Sequence, residues 1–239
     1  MGFLQTLFVS IEEAIPERGL GRAVALTVIL GSSVAALMFS LGSVASCASA
    51  RAKASRLAAD AATRRDMRDT KRQAAKIDID SVPKELQERI LSLSATQLIK
   101  AMHTKGDTIT ATSAMITYCH RARKAGELLS CNAEEFFEEG IRAANLADER
   151  IQNGTARQLE GLPFSVKDCV HLAGAVSTCG TAARAMKVQE EDAVVVTALK
   201  HLGAIPFVRG NVPQSLMLPE SVNAIWGRAL NPWDRERTP

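Results

Sequence analysis

The chain has 239 residues, enough for one large domain or two small ones, and its hydrophobic fraction of 46% is that of a globular protein. Aromatics make up only 4% while alanine is abundant, which suits helices. The net charge of +3 excludes a general nucleic-acid binder, because the positive excess is local: residues 51–76 carry nine Lys/Arg against three Asp, and the rest of the chain sums to −3.

The first feature in chain order is Met1-Gly2-Phe3-Leu4-Gln5-Thr6, which fits the loose N-myristoylation pattern. From Ala23 to Ala50 no residue is charged, and Arg22 and Arg51 bracket the run. As a helix these 28 residues reach about 42 Å, at roughly 1.5 Å per residue, enough to cross a ~30 Å hydrocarbon core with some tilt. A cleaved signal peptide fits poorly, because the run is too long and Glu12, Glu13 and Glu17 precede it. The flanking charges argue against a buried core helix. The expectation is a transmembrane helix over 23–50 after an N-terminal segment 1–22. The small residues Gly31, Ser32, Ser33, Gly42 and Ser43 would let another helix approach.

Orientation follows from the basic residues, eight of which lie between Arg51 and Arg72 while only Arg18 and Arg22 precede the run. The positive-inside rule puts the C-terminal side in the cytoplasm, against the cytosolic N-terminus that myristoylation would need. Residues 51–80 are read as a basic juxtamembrane helix or linker, either resting on anionic lipid or merely solvated. On this topology the sequon Asn153-Gly154-Thr155 stays unmodified. Five cysteines (Cys47, Cys119, Cys131, Cys169, Cys179) have no paired spacing, which fits free thiols and no metal site. Cys169, near Lys167, reads as a small buried hydrophobe rather than a nucleophile.

Beyond residue 80 the pattern is helical, then α/β. Helices are expected over 82–93, with Pro83 at its start, and from Ser94 as cap to about Thr104. A third covers 111–125 with Gly126 as its stop, and a fourth Glu134–Ile151 with acidic residues early and Arg150 late. His103 and His120 are assigned surface or capping roles. A strand around Phe164–Cys169, a helix over Asp192–Leu202 stopped by Gly203, and a strand over Ala204–Arg209 make a right-handed βαβ unit with parallel strands.

The segment Gly161-Leu162-Pro163-Phe164-Ser165-Val166-Lys167-Asp168 places a lysine in a short apolar run with strand character. If the strand is buried between layers, desolvation favours the neutral amine, a general base. The alternative is a lysine at the strand end, in water or paired to Asp168. Gly210-Asn211-Val212-Pro213-Gln214-Ser215 then forms a polar loop at the carboxyl end of a strand, where α/β ligand sites lie.

Gly-Leu-Pro-Phe-Ser-Val-Lys-Asp, then Asn-Val-Pro-Gln-Ser, then Asn231-Pro232-Trp233 resembles the amidase signature family, over roughly residues 94–239. Within it, the last two segments, the anchor and the basic linker resemble the fatty acid amide hydrolase branch. The resemblance implies an α/β/α mixed-sheet domain, with residues 81–239 as its N-terminal part. It implies serine amidase chemistry through a Ser–cis-Ser–Lys triad, with Lys167 as the base and Leu216 near the substrate. The branch has methionine at that position. Asn211 and Ser215 shape the same loop, in turn, capping or substrate-contact roles. No cofactor or metal is implied. The partners implied are a lipid amide substrate and membrane lipids, with no nucleic acid, and a homodimer. The expected location is an endomembrane, the endoplasmic reticulum, crossed once.

The sequence departs from the family pattern in one respect. The family's Gly-Gly-Ser-Ser-Gly-Gly-like run, which supplies the bridging serine, does not occur in these residues, and neither Ser165 nor Ser177 sits in a glycine-rich turn. The expectation is an incomplete, inactive fragment. The alternatives are a general amidase or amidotransferase-A-like member, or a non-catalytic membrane-anchored truncation.

Overall fold

The computed structural model describes the backbone of residues 20–239, and the side chains of Met38 and of residues 46–239. The N-terminal acylation pattern and nearly all of segment 1–22 lie outside the described residues. Contacts divide the chain between Ser55 and Arg56 into two units. The first unit contributes the start of helix α1, Leu20–Ala74. The run 23–50 is helical throughout, but most of its side chains lie outside the described residues. Among the described residues no helix is long and apolar enough to cross a membrane.

The part of α1 after Arg56 is built into the second unit. Arg64 pairs with Glu134. Arg72 donates from Nε and Nη2 to Glu135 at 2.8–3.0 Å. Lys71 Nζ reaches Glu139 at 2.7 Å, and the Arg68 guanidinium lies 5.5 Å from the Trp226 ring centre. Three of the nine basic residues of the run expected to face lipid or water therefore face glutamates of the domain, and a fourth faces an aromatic ring. Arg51, Lys53, Arg56 and Arg65 remain exposed.

Three helices follow: α2 (Lys84–Ser92), α3 (Ala95–His103) and α4 (Ala111–Leu129). Pro83 precedes α2 and forms its N-cap, where its missing N–H costs nothing. Ser94 closes a capping box with Gln97, and Thr110 closes one with Ser113. Gly126 does not stop α4, contrary to expectation. A Cβ there would meet Asn132 Nδ2 at 2.5 Å, so this glycine permits a close approach of the next strand. The helix ends at Ser130, which adopts φ 50°.

That strand, β1 (Asn132–Glu135), replaces the expected start of the fourth helix, which begins only at Phe137 (α5, Phe137–Gln152). Acidic residues near a helix start favour a helix locally, but the buried pairs with Arg64 and Arg72 hold Glu134 and Glu135 extended. The βαβ unit forms as expected: β2 (Pro163–Lys167), α6 (Val194–His201) and β3 (Ile205–Gly210), with β2 parallel to β3. The sheet order is β1-β3-β2, and β1 runs antiparallel to β3. A small hairpin, β4 (Val222–Asn223) and β5 (Gly227–Arg228), lies beyond β3.

The main core packs Leu98, Met115 and Phe137 from the helices and Ile109 from the turn before α4 against Phe207 and Val208 of β3. A smaller core puts Val196 of α6 on Val166 of β2. The turn between α3 and α4 is pinned by Arg89, which donates to both Asp107 carboxylate oxygens at 2.7 and 2.8 Å. Those bonds and the Ile109 N–H hold the Asp107 carboxyl down at about 2. A carboxyl with a depressed folded pKa stabilises above its unfolded value of about 3.9 and loses that contribution as pH falls toward the folded value. Urea midpoints between pH 5 and pH 2.5 should therefore fall less steeply for Asp107→Asn than for the wild type. Parallel pH dependences would contradict this account of the turn.

Candidate active site

Because β2 and β3 are parallel, their carboxyl ends open on the same side, the usual position of a ligand site in an α/β sheet. Lys167 is the last residue of β2 and lies beside Gly210, the last residue of β3. The Asn211–Ser215 loop leaves from that point. The sheet thus places the lysine motif and the Asn-Val-Pro-Gln-Ser motif next to one another.

Lys167 is exposed at the strand end, as the alternative reading had it, and the reading of a lysine buried between layers is corrected. The reason is position: β2 is an edge strand and only its Val166 is buried. Nor does Lys167 pair with Asp168. The Asp168 side chain is fully buried and is taken by other donors. Its Oδ2 accepts from the Thr178 hydroxyl, and from Trp226 Nε1 at 3.1 Å. Its Oδ1 accepts from the Thr178 N–H at 3.3 Å and lies 3.5 Å from Arg209 Nη2.

Arg209 is the other half of this centre and has no exposed surface. Its Nη2 donates to the Lys167 carbonyl at 3.2 Å, the Val170 carbonyl at 2.9 Å and Ser177 Oγ at 3.2 Å. In the sheet it lies between Glu134 of β1 and Val166 of β2. Burial pushes the Asp168 and Glu134 carboxyls up against the pull of their donors, and pushes the Arg209 guanidinium down. Sequence reading missed Arg209, Thr178 and Trp226. A signal existed for the first: an arginine closing the apolar run Ala204–Val208.

Two loops meet beside this centre. Ser215 N donates to the Cys179 carbonyl at 2.7 Å, and the Ser215 and Thr181 hydroxyls are 3.3 Å apart. Cys179, Ser215 and Leu216 have φ of 49°, 54° and 60°, a conformation costly for non-glycine residues. Leu216 is half-exposed. Asn211 has a structural role rather than a substrate-facing one. Its Nδ2 donates to the Ser130 and Gly227 carbonyls, and its Oδ1 accepts from Val212 N and Asn223 Nδ2. Asn231 organises its own turn by accepting from the Trp233 and Asp234 N–H groups. His103 contacts the Glu160 carbonyl at 3.2 Å. Cys169 is half-buried, and all five cysteines are free.

The family model described as Amidase matches residues 113–239, more than half of the chain. The chain belongs to the amidase family. An amidase of Gibberella zeae is 32% identical over 165 residues, 66% of this chain and 30% of that protein. An acetamidase of Emericella nidulans is 32% identical over 150 residues, 62% of this chain and 27% of that protein. The chain thus spans under a third of the length of these relatives. A solved structure of fatty acid amide hydrolase superposes with a TM-score of 0.66 at 22% identity, over 76% of this chain and 36% of that one. That likeness bears on the fold, a mixed α/β arrangement of the amidase-signature kind.

Gly180 is the point where the two loops press together. A Cβ there would lie 2.9 Å from Gln214 Cα and 3.0 Å from Asn223 Cβ, at a φ of +69°. Gly180→Ala should lower unfolding stability by about 1–3 kcal/mol, read from urea unfolding. A loss below about 0.5 kcal/mol, the range of an ordinary surface substitution, would show that the loops are not locked together.

Proposed function

We propose that the protein is an amide hydrolase in which Lys167 is the general base. The observation that supports this reading best is the placement of Lys167 at the shared carboxyl end of β2 and β3, beside the Asn211–Ser215 loop. In this reading the neutral Lys167 amine accepts the proton of a serine hydroxyl, and that serine deprotonates a nucleophilic serine. The nucleophile attacks the amide carbon, the proton passes to the departing nitrogen, and water then cleaves the acyl-enzyme. Lys167 is exposed here, and a lysine is a good base only when neutral. A bound acyl group that excludes water from the strand end would supply the desolvation.

The substrate proposed is a long-chain fatty acid amide taken from a membrane. The uncharged run Ala23–Ala50 supports an anchor, and the exposed Leu216, Met217 and Leu218 after the Asn211–Ser215 loop support an apolar substrate. The location proposed with it is an endomembrane, with the domain on the cytoplasmic side. A second reading, hydrolysis of small amides, is favoured by the relative named acetamidase.

Both parts can be measured on a polypeptide that carries the two serines this reading requires. Lys167→Ala should lower amide turnover by about 10³-fold or more, and near-normal turnover would reject Lys167 as the base. The wild type should turn over a long-chain primary amide with kcat/KM at least about 100-fold above that for acetamide, since buried methylenes each contribute about 0.8 kcal/mol. Equal efficiency on the two would favour the small-amide reading.

A further inference from the structure

We propose that Arg209 is a positioning residue for Lys167, acting through the backbone. The guanidinium is wholly buried, and one nitrogen, Nη2, holds three acceptors from different parts of the loop after β2. These are the carbonyls of Lys167 and Val170 and the hydroxyl of Ser177. The other two nitrogens, Nε and Nη1, have no hydrogen-bond partner in the structure. The charge is balanced by Asp168, the residue directly after Lys167.

The consequence is local and geometric. The peptide between Lys167 and Asp168 is held at both ends, by Arg209 on the Lys167 carbonyl and by the Gly210 carbonyl accepting the Asp168 N–H at 3.0 Å. Fixing that plane fixes the direction in which the Lys167 side chain leaves the strand. Without the clamp, β2 is an edge strand ending in a loop, and its last residue would fray. A lysine at position 209 would keep the charge beside Asp168. Its ammonium would end one bond short of the position of Nη2, so it could not reach the two carbonyls and the Ser177 hydroxyl together. The loop Val170–Ser177 is tied by the same nitrogen, so the clamp also fixes Cys179 and Gly180 against the Ser215 loop.

The test is Arg209→Lys. In the 239-residue chain, backbone ¹⁵N relaxation should show the Lys167 order parameter falling from about 0.85 to below about 0.6, with Phe207 at the centre of β3 unchanged. The thermal transition should remain cooperative. Unchanged order at Lys167 in a folded Arg209→Lys protein would overturn the proposal. The kinetic part rests on the reading of Lys167 as base. In a polypeptide that carries the two serines of that reading, kcat should fall about 100-fold with KM within about twofold, the mark of a misplaced catalytic group rather than lost binding. A loss confined to stability, with kcat intact per folded molecule, would also overturn it. If Lys167→Ala keeps its turnover, the base assignment fails while the relaxation result still decides the clamp. If Arg209→Lys does not fold, hydrogen exchange of the wild-type Asp168 amide decides. Exchange only through global unfolding supports the clamp, and fast local exchange rejects it.

Discussion

A guanidinium with no exposed surface sits in the central strand of the sheet, and its charge has to be answered from both sides. Asp168 answers from the turn after β2, and Glu134 faces it from β1. Removing an ion of this size from water costs several kcal/mol even after relaxation. Such a pair is weak evidence for stability in itself. Its effect is on geometry: Arg209, Asp168 and the carbonyls they hold have few alternative arrangements that leave no buried charge alone. The strand end that carries Lys167 is therefore determined by the interior of the domain and not by the exposed lysine.

The same constraint extends to the helix that precedes the domain. Glu134 is shared between Arg64 of α1 and the Val176 N–H of the loop after β2, at 3.1 Å for the latter. Trp226 donates to Asp168 on one side and carries the Arg68 guanidinium over its ring on the other. Residues of α1 from Arg64 to Arg72 thus act as part of the domain, through carboxylates one or two bonds removed from the lysine motif. A basic helix read from sequence as lipid-facing or solvated is in part a structural strut.

Much of the site was legible in the sequence, and the remainder was not for identifiable reasons. The parallel βαβ unit, the capping at Ser94 and the proximity of the lysine motif to Asn211–Ser215 all follow from local patterns, and all appear. The strand at Asn132–Glu135 does not, because its two glutamates are held extended by arginines more than sixty residues away. Gly126 read as a helix stop, whereas the structure uses its missing side chain for packing. The buried reading of Lys167 came from its apolar neighbours, and the strand-end reading proved right because edge position in a sheet is a property of topology and not of the strand's own residues. Asp168 beside a lysine looked like half of a surface pair, and only the fold shows that its partner is Arg209.

The central claim is that Arg209 and Asp168 are energetically one unit. A double-mutant cycle with Asp168→Asn and Arg209→Met, read by urea unfolding, tests it most directly. Each single variant strands a buried charge and should cost about 3–5 kcal/mol. The double variant should cost less than their sum by about 2 kcal/mol or more, within the coupling seen for contacting groups. Additive losses would contradict the account, because the two side chains would then be stabilising the strand end independently.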